Sequence, residues 1–227
     1  MCAVAVINII TCKCMLIDQI NLNLPEVISI NHPDRVTLNS KWLNGLKANG
    51  LKAEIDAKVR MGGKVYGGTT LGPHCKVGGE VESTVMIGYS NKAHDGFLGD
   101  AVIGEWCNIG GGTTASNLKN DYSPIRLWDY VEQRFVRTGL QFCGLIMGDH
   151  SKTGVNCMIN TATVLGVGVN ILGSGFPRPF VASFQEGSSN AGFKDVPLKT
   201  FYSIAERVMA RRGLELTQVD RDIFESI

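Results

Sequence analysis

The sequence predicts an all-β chain, a parallel β-helix solenoid finished by a C-terminal α-helix. Three observations predict it. Apolar or β-branched residues recur every six positions: Val59, Val65, Leu71 and Val77; Phe97, Ile103 and Ile109; Met147, Thr153, Ile159, Leu165 and Ile171. Glycine punctuates these runs, at Gly62-Gly63, Gly67-Gly68, Gly78-Gly79, Gly104, Gly110, Gly148 and Gly166, and makes up 27 of 227 residues. An amphipathic stretch with cap signals closes the chain. A period of six is neither that of a helix nor that of a plain alternating strand. It fits short parallel strands that each turn one residue inward and end at a corner. One coil cannot bury its own inner face, and stacked coils bury each other's. Sandwich strands would give turn signals about every 8–12 residues, so the tighter period argues against them.

Composition narrows the function. Lys and Arg total 22 against 21 Asp and Glu, mixed along the chain for a net charge of +1. Nucleic-acid binding needs a clustered basic surface, so no nucleic-acid partner is expected. The apolar start Ala3–Ile10 is short and has no basic residue before it. It is expected to be neither a signal peptide nor a membrane span, and the protein is expected to be cytoplasmic. Seven cysteines (Cys2, Cys12, Cys14, Cys75, Cys107, Cys143, Cys157) are odd in number and scattered, which fits buried free thiols in a reducing compartment. His74-Cys75 and Asp149-His150 each lack a third ligand, so no metal site is expected.

Taken in order, residues 1–40 form a poorly defined N-terminal segment, extended around Pro25. The solenoid is expected over 41–175. Residues 28–58 read as a degraded repeat, of which Ser40–Ala57 fits a helix instead, with Asn49-Gly50 as a turn signal against one continuous helix. Val81, Val85 and Ile87 continue as a strand. Residues 114–144 lose the period and carry Asn117, Lys119, Arg126, Trp128, Arg134 and Arg137. Such an excursion often lies on a binding face, or it is a surface hairpin over Leu127–Val136. Residues 176–227 form a loop and C-terminal helices. Asp195 is a candidate cap, Pro197 suits the first turn, and Phe201, Ile204, Ala205, Val208 and Met209 form an apolar stripe. Arg211-Arg212 and Gly213 end that helix, and Thr217 with Asp220 opens a second, the whole expected to close the open end of the solenoid.

Lys92-Ala93-His94, Phe97-Leu98-Gly99-Asp100-Ala101, Ile103-Gly104, Asn108-Ile109-Gly110-x-Gly112-Thr113 and Asn117 together resemble the active-site coil of the left-handed β-helix (hexapeptide-repeat) acyltransferases. The resemblance is closest to the C-terminal acetyltransferase half of the bifunctional UDP-N-acetylglucosamine pyrophosphorylase/glucosamine-1-phosphate acetyltransferase. Gly139–Gly144 and Gly148–Lys152 extend it toward a Bacteroidetes-type subgroup similar to sugar nucleotidyltransferases, and it covers about residues 58–212. It implies a single-stranded left-handed solenoid and a homotrimer. It also implies acetyl-CoA as co-substrate, and an amino-sugar phosphate (glucosamine-1-phosphate-like) or nucleotide sugar bound between subunits. The first 58 residues hold no Gly-rich nucleotide loop followed by Lys, so no nucleotidyltransferase domain is expected in this chain.

The resemblance also assigns roles. His94 maps onto the general base, which must take a proton from the attacking amine. The Gly111 N–H maps onto the donor for the tetrahedral oxyanion. Asn108 and Asn117 map onto sugar-holding positions, Asn108 alternatively belonging to a structural Asn ladder. Lys119 and Lys92 are substrate-binding candidates, and Gly154, Gly173 and Arg178 are candidates for CoA. The sequence departs from the family at Phe97, where a tyrosine is expected, and at Ser83-Thr84, near where a lysine is expected. The alternative is a non-catalytic solenoid that trimerises or regulates a sugar-phosphate nucleotidyltransferase, or binds a sugar nucleotide.

Overall fold

From Lys58 onward the chain winds through three β-faces in turn, one short strand per face, as a left-handed parallel β-helix. The computed structural model describes residues 56–227, with the backbone of three further strands, Ile28–Ser29, Val36–Thr37 and Lys52–Ala53. The expectations for residues 1–40, and for most of Ser40–Ala57, lie outside the described residues. At Lys52–Ala53 the backbone is a strand parallel to Thr70–Leu71, not helix.

Face I stacks Lys58–Val59, Lys76–Val77, Asn91–Lys92, a bridge at Asn108, Lys152–Thr153, Asn170–Ile171 and Gln185–Ser188. Face II stacks Lys64–Val65, Glu80–Glu82, Phe97–Gly99, Thr114–Ala115 and Met158–Ile159. Face III stacks Thr70–Leu71, Val85–Gly88, Val102–Glu105, Ile146–Met147, Val164–Leu165 and Phe180–Val181. The stack therefore continues past residue 175, where the sequence suggested a loop. Its last strand on face I is covered by an antiparallel one, Gly192–Asp195.

The inner column of each face is apolar and buried. Face II contributes Val65, Val81, Leu98, Ala115 and Ile159; face III contributes Leu71, Met86, Ile103, Met147, Leu165 and Val181. One expectation is corrected here: Leu98, not Phe97, is the inward residue. Val81, Val85 and Ile87 lie in strands as expected, and Met86 is the inward residue of Val85–Gly88. The coils between Val77 and Ile103 have shorter corners, which shifts the inward position off the six-residue spacing.

The excursion begins two residues later than expected, since Thr114–Ala115 is still a face II strand. It then folds as a hairpin, Arg126–Asp129 against Arg134–Arg137, with Leu127 opposite Val136. Ile125, Leu127 and Cys143 pack on Val102, Ile146 and Val164 on the outer side of face III. Trp128 stacks on Phe180 at 4.1 Å.

The corner between faces III and I carries a column of rings. His74 stacks on Tyr89 (4.9 Å) and Tyr89 on Trp106 (4.2 Å), with His150 at 6.1 Å beyond. All four have positive φ, from 52° to 60°, a conformation that costs a non-glycine residue energy. In the next coil this position is Gly168, where a Cβ would lie 2.8 Å from the Phe201 ring. The missing side chain admits helix α1 (Leu198–Ala210), and Phe201 meets His150 edge-on at 5.6 Å. Helix α2 (Gln218–Glu225) adds Phe224 at 5.5 Å from His150. The helices thus pack along this edge of the later coils rather than across the open end. Burial pushes His150 down to about 3, so it is a neutral ring in an aromatic nest.

At the helix termini, Pro197 is the N-cap of α1, and Tyr202 is buried where Ile204 and Val208 were expected. Asp195 does not cap; its carboxylate accepts the Gln185 amide N–H at 2.9 Å. Gly213 has φ +70° after α1, and Thr217 and Asp220 form the reciprocal capping box of α2. Among the described residues no helix is long and apolar enough to cross a membrane.

Candidate active site on the edge between faces I and II

Successive coils turn from face I to face II at Ala93–Gly96, Gly110–Thr113 and Gly154–Cys157, and the chain leaves face I again after Ile171. The turns nest closely. A Cβ at Gly96 (φ +115°) would lie 2.0 Å from the Thr113 carbonyl oxygen, and one at Gly110 would lie 2.1 Å from that of Gly154. Only glycine fits such approaches. The Gly112 N–H donates to the Asp95 carbonyl (2.8 Å), and the Asn156 N–H to that of Gly111 (2.8 Å).

This stacking aligns four residues singled out from the sequence. His94 is exposed on one turn, and Gly111 lies against it on the next, where a Cβ would come within 3.2 Å of the His94 Cβ. Gly154 and Gly173 follow on the two turns beyond. The Gly111 N–H has no hydrogen-bond partner among the described residues. The His94 ring has none either among the described residues. The edge beyond Gly111 exposes apolar side chains that sequence reasoning missed, namely Val155, Met158, Leu172 and Phe176.

The other candidates are dispersed. Asn108 is exposed on the outer side of face I, in register with Asn91 and Lys152. Asn117 sits at the far edge of face II, where its amide donates to the Asp100 carboxylate at 2.6 Å. Four residue steps, from Gly96 to Asp100, separate the two edges of that face, roughly 13 Å of strand. The Phe97 ring lies over Gly99 between them. Lys119 is tied within its own loop to Ser123 Oγ and the Pro124 carbonyl, both at 3.2 Å. Arg178 donates to Gln185 Oε1 at 2.8 Å and lies 5.0 Å from the Phe193 ring centroid, near the end of face I.

Lys92 is a correction. It occupies the inward position of face I, between Val77 and Ile109, and is 1% exposed. Its stem fills the core while its ammonium reaches the carbonyls of Gly78 and His94. It supports the turn under His94 and does not face a substrate. Burial pushes it down to about 8, against the opposing pull of the Asp95 carboxylate.

Among the described residues, Cys75, Cys107, Cys143 and Cys157 are buried and in no disulfide; burial pushes Cys75 up to about 11 and Cys107 further, away from a nucleophilic thiolate. Among the described residues no group of three or more His, Cys, Asp or Glu is arranged to hold a metal. His74 and His150 belong to the ring column instead.

The solenoid has the form of the left-handed hexapeptide-repeat β-helix. Sequence comparison points the same way. No protein-family model matches the chain. A stretch of 96 residues, 36% of the chain, is 30% identical to the bifunctional protein GlmU of Methanococcus aeolicus and spans 23% of it. A stretch of 107 residues, 46% of the chain, is 32% identical to GlmU of Trichodesmium erythraeum and spans 19% of it. The chain thus matches about a fifth of the length of these relatives. Among solved structures, AntD, an N-acyltransferase from Bacillus cereus in complex with dTDP and 3-hydroxybutyryl-CoA, superposes with a TM-score of 0.54. That match covers 82% of this chain and 100% of AntD at 11% identity, a likeness of fold.

Proposed function

We propose that the protein moves an acetyl group from acetyl-CoA to the amine of an amino-sugar phosphate of the glucosamine-1-phosphate kind, a step toward nucleotide sugars in the cytoplasm. The observation that carries this reading is the pairing of His94 with the unpartnered Gly111 N–H on adjacent turns of one edge. His94 takes the proton that the neutral acceptor amine gives up as it attacks. The amine nitrogen bonds to the thioester carbonyl carbon, and the resulting oxyanion accepts the Gly111 N–H. Collapse breaks the C–S bond, and the proton on His94 leaves with the CoA thiolate. No covalent enzyme intermediate is needed, in keeping with the burial of the thiols among the described residues.

Asn108 and Asn117 hold the sugar in this reading, and Gly154, Gly173 and Arg178 line the CoA path. The exposed Val155, Met158, Leu172 and Phe176 suit the acyl-bearing arm of CoA, or a second copy of the chain. A homotrimer in which a neighbour covers this edge would supply the contact that His94 lacks in the single chain. The relatives support the acyl-transfer reading, since GlmU is bifunctional and AntD is an N-acyltransferase bound to an acyl-CoA and a nucleotide.

A second reading, a sugar-nucleotide-binding or trimerising solenoid without activity, is favoured by the unoriented His94 ring. A thiol-release assay with acetyl-CoA and glucosamine-1-phosphate separates the two. The expected result is CoA release by wild type and a rate about 10²–10⁴-fold lower for His94→Ala, whose side chain is exposed and not needed for folding. Absence of release across several amino-sugar phosphates rejects the enzyme. Full activity of His94→Ala rejects His94 as the base.

A further inference from the structure

The hairpin over face III carries a charge pattern that acyl transfer at the His94 edge does not use. Arg126 and Arg137 are directly opposite each other across its two strands. Both are exposed, and among the described residues no carboxylate lies within ion-pair distance of either. Like charges in that register destabilise a strand pair. The hairpin's own acids are committed elsewhere. Asp129 accepts the turn amides of Val131 and Glu132, and Glu132 pairs with Arg134 at 2.9 Å. Arg126, Arg137 and Arg134 line one open cleft whose apolar wall is Phe135, with the Arg126 guanidinium 5.9 Å from that ring's centroid. The hairpin is not a loose loop. Leu127 is buried against the solenoid and Trp128 is stacked on Phe180, so the two guanidinium groups are presented from a fixed support.

We propose that Arg126 and Arg137 form a phosphoryl-binding site, with Phe135 as its apolar wall, for a ligand carrying a diphosphate or phosphomonoester. Guanidinium forks match phosphate oxygens in pairs, and a dianion between two facing arginines converts their repulsion into attraction. A nucleotide sugar and CoA both carry such phosphates. The proposal concerns binding, so it stands or falls separately from the acyl-transfer reading.

The test is calorimetric titration of the full chain with inorganic pyrophosphate, dTDP and CoA at low and high salt, beside melting curves without ligand. Pyrophosphate is expected to bind wild type, to weaken with salt, and to lose about tenfold to a hundredfold in affinity in Arg137→Gln. Binding is expected to vanish in the Arg126→Gln/Arg137→Gln double variant. Without ligand, both variants are expected to melt no lower than wild type, because a repulsion has been removed. Of dTDP and CoA, the one whose affinity falls in the double variant is the natural class of occupant. Equal pyrophosphate binding by wild type and double variant, absence of binding by wild type, or a lowered melting temperature overturns the proposal. So does a dTDP and a CoA affinity that both ignore the pair.

Discussion

Replacing Lys92 by Met tests the buried ammonium under the His94 turn. Met keeps the stem's approximate volume and removes the charge. The folded-state value of about 8, against an ordinary 10.5, corresponds to a cost of at most about 3 kcal/mol for keeping the ammonium charged. The sign follows from proton binding. Between pH 8 and 10.5 the unfolded chain holds the proton more often than the folded one, so wild-type stability from this group rises with pH. The penalty is present in full below pH 8 and is gone above 10.5. Lys92→Met has no such penalty, but it strips the carbonyls of Gly78 and His94 of a donor, at about 1–3 kcal/mol each and independent of pH. The stability of the variant relative to wild type is therefore expected to be greater at pH 7 than at pH 10.5, by up to about 3 kcal/mol. Urea denaturation at both pH values and one protein concentration measures it. A difference that does not change with pH refutes the buried, charged assignment.

Two further substitutions probe register and helix docking. Leu98→Ala is expected to cost about 2–5 kcal/mol in chemical denaturation, and Phe97→Ala less than half as much; the reverse order refutes the inward assignment of Leu98. Gly168→Ala adds a Cβ at φ +66° against the Phe201 ring, so residues 198–227 are expected to become the first site of limited proteolysis. An unchanged cleavage pattern rejects the role of Gly168 in seating α1.

The solenoid was legible because its corners repeat. Val59, Val65, Leu71 and Val77 all proved inward, as did the run from Met147 to Ile171. Register failed at Phe97, near where corners shorten, since the adjacent apolar pair Phe97 and Leu98 gives periodicity no basis for choosing one. Lys92 was illegible for another reason, as a charged residue at an inward position reads as surface until its stem and carbonyl partners are seen. The glycine corners were legible, whereas their stacking of Gly111, Gly154 and Gly173 on the edge beside His94 is seen only in the structure. The separation of Asn117 from them did not, because strand length on face II sets it. The ring column was hidden by its uneven spacing in sequence and by the excursion between Trp106 and His150.

That column changes how the molecule comes apart under load. A bare solenoid pulled from one end peels coil by coil, each coil held only by its neighbour. Here Phe201 and Phe224 lock onto His150, which belongs to a coil two turns inside the C-terminal end of the stack. A force applied at the C-terminus meets α1 and α2 before it reaches the terminal strands. Once the helices detach, His150 loses two partners at a stroke, and the coils from Ile146 to Ser188 are released together. The force record expected is one large step and then small ones, with the large step at the helix-bearing end.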